Sequence, residues 1–141
     1  MSFEVLGDLN WLAVIVATIV FFAIGGLWYA NAVFGKAWQR AGGFEIPTDQ
    51  RPGPAYFIGP FITCLLTTIA VAMLAKATAT DTVGEGIVLG LITGVGIAGA
   101  VIAVTGLFDP QKANPRVWVA ISAGYQIVGM LVAAVILAVW D

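Results

Sequence analysis

Six of the uncharged polar side chains inside the long apolar stretches of this sequence are candidates to contact a solute within a membrane. They are Thr63, Thr67, Thr93, Ser122, Tyr125 and Gln126. Ser122 and Gln126 are four residues apart and share one helix face, and Tyr125 lies beside that face. An amide such as Gln126 that faced lipid would be costly, so we expect it to face the protein interior. The six residues form either a polar path for a solute or hydrogen bonds between helices.

The residue types that perform most redox, metal and proton chemistry are missing from the apolar stretches. The sequence has no His and only one Cys, Cys64. Imidazole bases, Cys-cluster metal sites and intrachain disulfides are therefore excluded. Every carboxylate lies between or outside the stretches, and Asp109, close to Lys112 and Arg116, comes nearest to being a candidate acid. We predict no catalytic residue, no metal and no cofactor, and we interpret Cys64 as a small packing residue.

Four runs without charge predict the elements that position these residues. Only 10% of the residues are charged and the mean hydropathy is +0.99, whereas soluble domains carry about 25% charged residues. A helix needs about 20 apolar residues to cross a bilayer, and each run reaches that length. The sequence predicts an all-α, single-domain bundle over residues 1–141. Its four transmembrane spans are expected at about 9–32, 54–76, 83–107 and 116–140.

Five basic residues lie in the two loops that follow the first and third spans, against only Lys76 on the opposite side. They are Lys36, Arg40 and Arg51 in one loop and Lys112 and Arg116 in the other. Loops rich in Lys and Arg stay in the cytoplasm, so both termini are predicted to be extracytoplasmic, in a bacterial cytoplasmic (inner) membrane. We expect this cytoplasmic basic rim to contact anionic lipid headgroups. An acidic partner or a nucleotide is the alternative, and no nucleic acid is expected as a partner.

Tryptophans flank the predicted spans and are expected to anchor them at the membrane interface. They are Trp11, Trp28, Trp38, Trp118 and Trp140. Trp38 belongs to the segment 34–41, which mixes aromatic and basic residues. Such a mixture predicts a short element lying in the interface.

The third span is rich in glycine. Gly86, Gly90 and Gly94 recur every four residues on one face, and Gly96, Gly99, Ala103 and Gly106 fall on another. Small residues let helices approach closely in lipid. Two such faces predict a central helix with tight neighbours on two sides, and they leave open whether one face makes a homo-oligomer contact.

Two segments carry a family resemblance. "WYANAVFGKAW" contributes Trp28, Tyr29, Phe34, Gly35, Lys36 and Trp38, with Gly25 before it, and "SAGYQ" contributes Ala123, Gly124 and Tyr125. Together with the opening apolar run, they resemble a bacterial family of small four-helix membrane proteins of unknown function. The resemblance implies the four-span fold and supplies no activity. Members often have His after the last Tyr, where this chain has Gln126.

The sequence therefore favours a non-catalytic protein that binds membrane lipid around it and works as a homo-oligomer or as an accessory subunit of a larger membrane assembly. The alternative is a channel or facilitator for a small neutral or weakly polar solute, lined by the six polar side chains. A membrane enzyme that uses Asp109 with Tyr56 is the weakest of the three hypotheses.

Overall fold

The computed structural model describes residues 2–49 and 52–140, and the described chain is helical with no strand. Four helices are long and apolar enough to cross a membrane. They are span one (Trp11–Trp28), span two (Ala55–Ala77), span three (Val83–Leu107) and span four (Pro115–Val139). A 3-10 helix, Phe3–Asp8, precedes span one, and the amphipathic helix, Gly35–Gly42, lies between spans one and two. The predicted all-α four-span fold is confirmed.

The bundle has two ends, which we name by what they hold. The terminal end holds the start of span one, the turn between spans two and three, and the end of span four. There the Asn10 side-chain amide donates to the Trp140 carbonyl oxygen at 2.6 Å. The basic end holds the amphipathic helix and the loop 108–114. Both described termini therefore lie together, as an even number of spans requires.

Span one ends at Trp28, four residues before the predicted limit at residue 32. The chain turns there because the Phe34 N–H donates to the Trp28 carbonyl at 3.1 Å, and the Gly35 N–H donates to the Ala30 carbonyl at 3.0 Å. A Cβ at Gly35 would collide with the Tyr29 carbonyl oxygen. The tight turn therefore requires glycine at position 35, and the amphipathic helix begins at that residue.

Three spans begin at residues whose side chains accept the free N–H groups of the first helical turn. Asn10 accepts from Ala13 at 3.1 Å, Asn114 accepts from Val117 at 3.3 Å, and Thr82 forms a capping box with Glu85. Such caps are worth about 1 kcal/mol each. They place the helix starts within one or two residues of the predicted ones.

Span four is the central helix, and the prediction that span three is central is wrong. Span four contacts the other three spans and the amphipathic helix, whereas span three packs mainly on span four. The predicted second small face of span three is only partly used, since a Cβ on Gly96 would meet nothing within 4 Å. Span three therefore lies at the edge of the bundle.

A π-helical segment, Ile92–Gly99, explains how one neighbour can cover glycines from both predicted faces. In a continuous α-helix, Gly106 would lie about 120° around the axis from Gly94. A π-helix has more residues per turn, so each residue in it advances the rotation by less. The segment brings Gly106 back to span four, where it packs against Trp118 and Val119.

The core is concentrated at the terminal end of the bundle. Its buried members there are Leu9, Ala13, Val14, Ala17, Val71, Ala72, Ala75, Leu89, Ala133, Ala134 and Leu137. At the basic end, by contrast, every residue from 52 to 63 is exposed. The first half of span two thus stands away from the rest of the bundle, and this separation opens the site described next.

Candidate functional site

The residues of the two family segments meet at the basic end in one aromatic cluster. The Tyr29 ring packs edge-on against Trp38, with centroids 4.9 Å apart, and against Tyr125 at 5.4 Å. Tyr125 also contacts Phe21 at 5.4 Å, and Trp38 contacts Phe44 at 4.9 Å. The Phe21–Tyr125 pair is tilted and the other three are edge-to-face, and each edge-to-face pair adds about 1 kcal/mol beyond the burial of its area. The cluster joins span one and the amphipathic helix to span four.

Two indole N–H groups fix this cluster to span four. Trp28 donates to the Ile121 carbonyl oxygen at 3.0 Å, and Trp38 donates to the Ser122 hydroxyl oxygen at 3.1 Å. Ser122 also lies within hydrogen-bonding reach of the Tyr29 hydroxyl. A Cβ on Gly124 would lie 3.1 Å from the Trp28 ring, so the glycine leaves room for the indole. The two segments that carry the family resemblance therefore contact each other.

Tyr125, a member of this cluster, lies beside Cys64 of span two. The Tyr125 hydroxyl lies 3.4 Å from the Cys64 sulfur and 3.5 Å from the Phe21 carbonyl oxygen, and both side chains are buried. Neither has a base or a cation among its contacts that would activate it. In the described chain, no group of three or more His, Cys, Asp or Glu residues could hold a metal ion. The contacts that hold the cluster together are ring contacts and hydrogen bonds.

A cavity of about 340 Å³ lies beside the cluster, between the end of span one, the amphipathic helix and the first half of span two. Its lining combines three aromatic side chains, two amides and the loop before span two. The lining residues are Tyr29, Ala30, Asn31, Trp38, Gln39, Ile46, Pro47, Thr48, Pro52 and Tyr56. This volume is typical of small-molecule sites.

The two amides hold the cavity wall together. The Gln39 side-chain amide donates to the Asn31 side-chain oxygen at 3.2 Å, and the Ile46 backbone N–H donates to the Gln39 side-chain oxygen at 2.8 Å. Gln39 thus links the end of span one to the loop that precedes span two. A ligand here would meet aromatic walls and amide N–H groups.

The structure does not bring the six predicted polar side chains together on one surface. Thr63 is exposed on span two and donates to the Pro60 carbonyl, and Thr67 is half-buried on the same span. Thr93 is buried on span three and donates to the Leu89 carbonyl. Ser122 and Tyr125, in contrast, both belong to the aromatic cluster.

Gln126 stands apart from the cluster. Its side chain is half-buried, and its amide makes no hydrogen bond to any described residue. On the helix it lies about 100° around the axis from Tyr125, which faces span one. Ile127, about 100° further round, packs against Gly94 of span three. Gln126 therefore faces the gap between these two contacts.

The predicted basic rim divides into two groups. Lys112 forms an ion pair with Asp109 at 3.2 Å and lies 4.6 Å from the centre of the Trp118 ring. The Trp118 indole nitrogen is buried without a partner among the described residues. The other members, Lys36, Arg40 and Arg116, are exposed, and Arg51 lies outside the described residues.

The pKa of Asp109, which lies beyond the end of span three, is held below its usual range. The backbone N–H of Gln111 donates to the Asp109 carboxylate at 2.9 Å, and Lys112 adds its positive charge. Both contacts stabilise the ionised form. Asp109 thus serves the loop between spans three and four as an ionised group.

Glycines of span three meet the backbone of span four within the chain. A Cβ on Gly90 would lie 2.6 Å from Leu131 Cα, one on Gly86 would lie 2.9 Å from Val135 Cα, and one on Gly94 would lie 3.0 Å from Ile127 Cα. Gly99 instead lies against the Gly94 carbonyl of its own span. The regular glycine repeat is therefore used for intrachain packing.

The predicted tryptophan anchors differ in what they contact. Trp11 and Trp140 are 45% and 42% exposed at the terminal end, where a membrane interface would lie. Trp28, Trp38 and Trp118 are half-buried and pack into the bundle. Trp28, Trp38 and Trp118 therefore hold helices together, in addition to any contact with lipid.

Sequence reasoning did not identify the cavity or its amides. Gln39 lies outside the predicted spans, where polar residues are ordinary, and Asn31 lies at the very end of the predicted first span, 9–32. The available signal was the combination of amides and aromatics around the turn at Phe34–Gly35 with a Pro-rich loop before span two. Only the folded chain shows that residues from three elements enclose one space.

Comparison with known proteins agrees with the fold and adds no activity. No curated protein and no solved structure shows significant similarity to this chain. One family matches residues 12–138, which cover all four spans except Trp11 and Val139 and include both segments of the aromatic cluster. The chain belongs to that family, described as "Protein of unknown function (DUF1761)".

Proposed function

We propose that the protein is a non-catalytic membrane protein that works as a subunit of an assembly, made of its own copies or of a larger membrane complex. One observation carries this proposal. The outward face of span two has the spacing of a helix-packing seam, and nothing within the described chain covers it.

The seam consists of Ala55, Gly59, Ile62 and Leu66, which recur at intervals of four, three and four residues. Apolar residues at this spacing pack one helix against another. Leu66 is 62% exposed and Ile62 is 48% exposed. A Cβ on Gly59 would meet nothing within 4 Å, so a second helix can approach closely there.

The opposite face of span two is already occupied by the bundle. Cys64, Thr68 and Val71 are buried there, and the Thr68 hydroxyl donates to the Cys64 carbonyl at 2.8 Å. Gly86, Gly90, Gly94 and Gly106 of span three are likewise covered by span four. The seam therefore remains free for a partner among the described residues.

Native mass spectrometry in mild detergent tests the proposal with two matched substitutions. Gly59→Leu places a large side chain in the seam, and Gly26→Leu makes the same change on span one, where a Cβ would also meet nothing within 4 Å. We expect the wild-type protein to be an oligomer or to carry a partner, Gly59→Leu to release it, and Gly26→Leu to retain it. A strictly monomeric wild-type protein without a partner would contradict the proposal, as would equal behaviour of the two variants.

We also propose that the basic end faces the cytoplasm of a bacterial inner membrane. The loop charges Lys36, Arg40, Lys112 and Arg116 support this orientation. A C-terminal fusion to a phosphatase that is active only outside the cytoplasm should be active. Activity of a cytoplasmic reporter at the same position would reverse the orientation.

A facilitator for a small neutral or weakly polar solute is the second candidate function. The unpartnered amide of Gln126 favours it, because such a group near the middle of a span can bind a polar solute. Gln126→Leu should abolish the flux of such a solute into liposomes if this candidate is right. An unchanged assembly state and the absence of wild-type flux would leave the subunit proposal standing alone.

A further inference from the structure

We infer that the cavity at the basic end binds the phosphate group of a membrane lipid. The cavity itself is separate from the seam on span two, since no seam residue lines it. Three features support it: the hydrogen-bonding character of the amides, the charges beside the cavity, and the apolar surface that leads away from it.

The amides of the cavity wall present donors to a ligand. A backbone N–H can only donate, so the bond from Ile46 fixes the Gln39 oxygen toward the loop. The Gln39 nitrogen must then face Asn31, which fixes the Asn31 oxygen as its acceptor. Both oxygens are thereby engaged. The Asn31 nitrogen keeps two unused N–H groups and the Gln39 nitrogen keeps one, and this set of donors suits an anionic group rich in acceptors.

Two cations stand beside these donors. On the amphipathic helix, Gln39 and Arg40 follow Lys36 by three and four residues. Side chains at these spacings are neighbours, so both lie on the side of the helix that carries Lys36. Arg40 Nε donates to the Lys36 carbonyl at 3.3 Å, and neither residue is paired with a carboxylate among the described residues. The loop carboxylates Glu45 and Asp49 are exposed and do not line the cavity. Lys36 and Arg40 do not line the cavity either, but they adjoin Gln39 of its wall and are available to a bound anion.

An apolar surface continues from the cavity along the first half of span two. Tyr56 lines the cavity, and Phe57, Ile58 and Phe61 beyond it are 52%, 54% and 38% exposed. A lipid whose phosphate occupied the cavity could lay its chain on this surface. A soluble phosphate would gain nothing from it, so the geometry favours a lipid.

The affinity of the purified protein for phosphatidylglycerol, measured by native mass spectrometry in neutral detergent, tests this inference. Asn31→Leu removes the free amide donors, and Lys36→Gln with Arg40→Gln removes the flanking charges. Both changes are at exposed positions, and Gln39 is left in place because it holds the loop. We expect each variant to bind about tenfold more weakly, which corresponds to the loss of a charge-assisted hydrogen bond.

Three controls make the result decisive. Lys112→Gln with Arg116→Gln removes the same charge from the other loop and should change the affinity by less than about twofold. Diacylglycerol with the same chains, which lacks phosphate, should not bind at the site, and glycerol 3-phosphate should not displace the lipid. Equal loss in both double variants, full binding by Asn31→Leu, or displacement by glycerol 3-phosphate at equal concentration would each overturn the inference.

Discussion

At its terminal end the bundle is held by small apolar residues in close contact, whereas at its basic end it is held by aromatic rings and directed hydrogen bonds. Gly86 and Gly90 let spans three and four touch backbone to backbone at the terminal end. At the basic end, Trp28 and Trp38 reach across and donate to span four. Both ends join span four to its neighbours, but the pocket at the terminal end holds only about 10 Å³, against about 340 Å³ at the basic end.

The difference shows how a small membrane protein can have one closely packed end and one end that contains a cavity. In lipid, helices gain little from burying apolar surface and depend on close packing, so small residues on both sides give a dense core. Large rings joined at a few polar points hold two elements in position without filling the volume around them. The first half of span two is left outside these contacts, and the cavity follows from that separation.

Among these tests, the largest loss of stability should come from adding a methyl group at the tight glycine contact of the terminal end. Gly90→Ala would place a methyl group 2.6 Å from Leu131 Cα, so one backbone must move. We expect the free energy of unfolding in detergent to fall by about 1–3 kcal/mol. Gly96→Ala adds the same methyl group to the same span in open space and should cause no loss. Equal losses in the two variants would show that glycine acts there through flexibility rather than through packing.

A smaller effect should come from the directed bonds of the basic end. Trp28→Phe removes the indole N–H and leaves the Ile121 carbonyl without that partner. We expect the free energy of unfolding in detergent to fall by about 1–2 kcal/mol. The matched change Trp11→Phe, at a side chain that is 45% exposed, should cost less than about 0.5 kcal/mol. A negligible loss in Trp28→Phe would mean that the rings alone hold this end.

The smallest effect should come from the loop at the edge of the basic end. The pKa of Asp109 is lowered in the folded chain by the Gln111 N–H and by Lys112, so its ionised form favours folding. This contribution is present at neutral pH and is lost as the pH falls through the lowered pKa. Thermal midpoints of the wild-type protein and Asp109→Asn should therefore differ slightly at pH 7 and converge in acid. A difference that grew as the pH fell would reverse the sign of this linkage.

The sequence predicted the spans well because hydrophobic length and loop charge are local properties. The observed limits of spans two to four lie within about one residue of the predicted ones. The early end of span one was missed because a turn closed by Gly35 overrides the apolar character of the residues after Trp28. Local composition does not reveal such a turn.

Which span is central in the bundle could not be predicted from hydrophobic length and glycine spacing. Glycine spacing on an ideal α-helix gives span three two small faces, but the π-helical segment Ile92–Gly99 changes the rotation between them. Gly106 consequently meets Trp118 on span four rather than a second neighbour. The polar side chains were likewise scattered by tertiary packing, with Thr63 exposed on span two and Thr93 bonded within span three.

The sequence by itself determined that this is a four-span helical membrane protein of its family, since a run of about 20 uncharged residues has one stable form in lipid. It also determined which chemistry the spans lack. The tertiary structure alone decided that span four is central, that the two family segments form one aromatic contact, and that a cavity lies beside it. These features join residues distant in sequence, such as Tyr29, Gln39 and Tyr56. Their arrangement depends on helix rotation and packing rather than on composition.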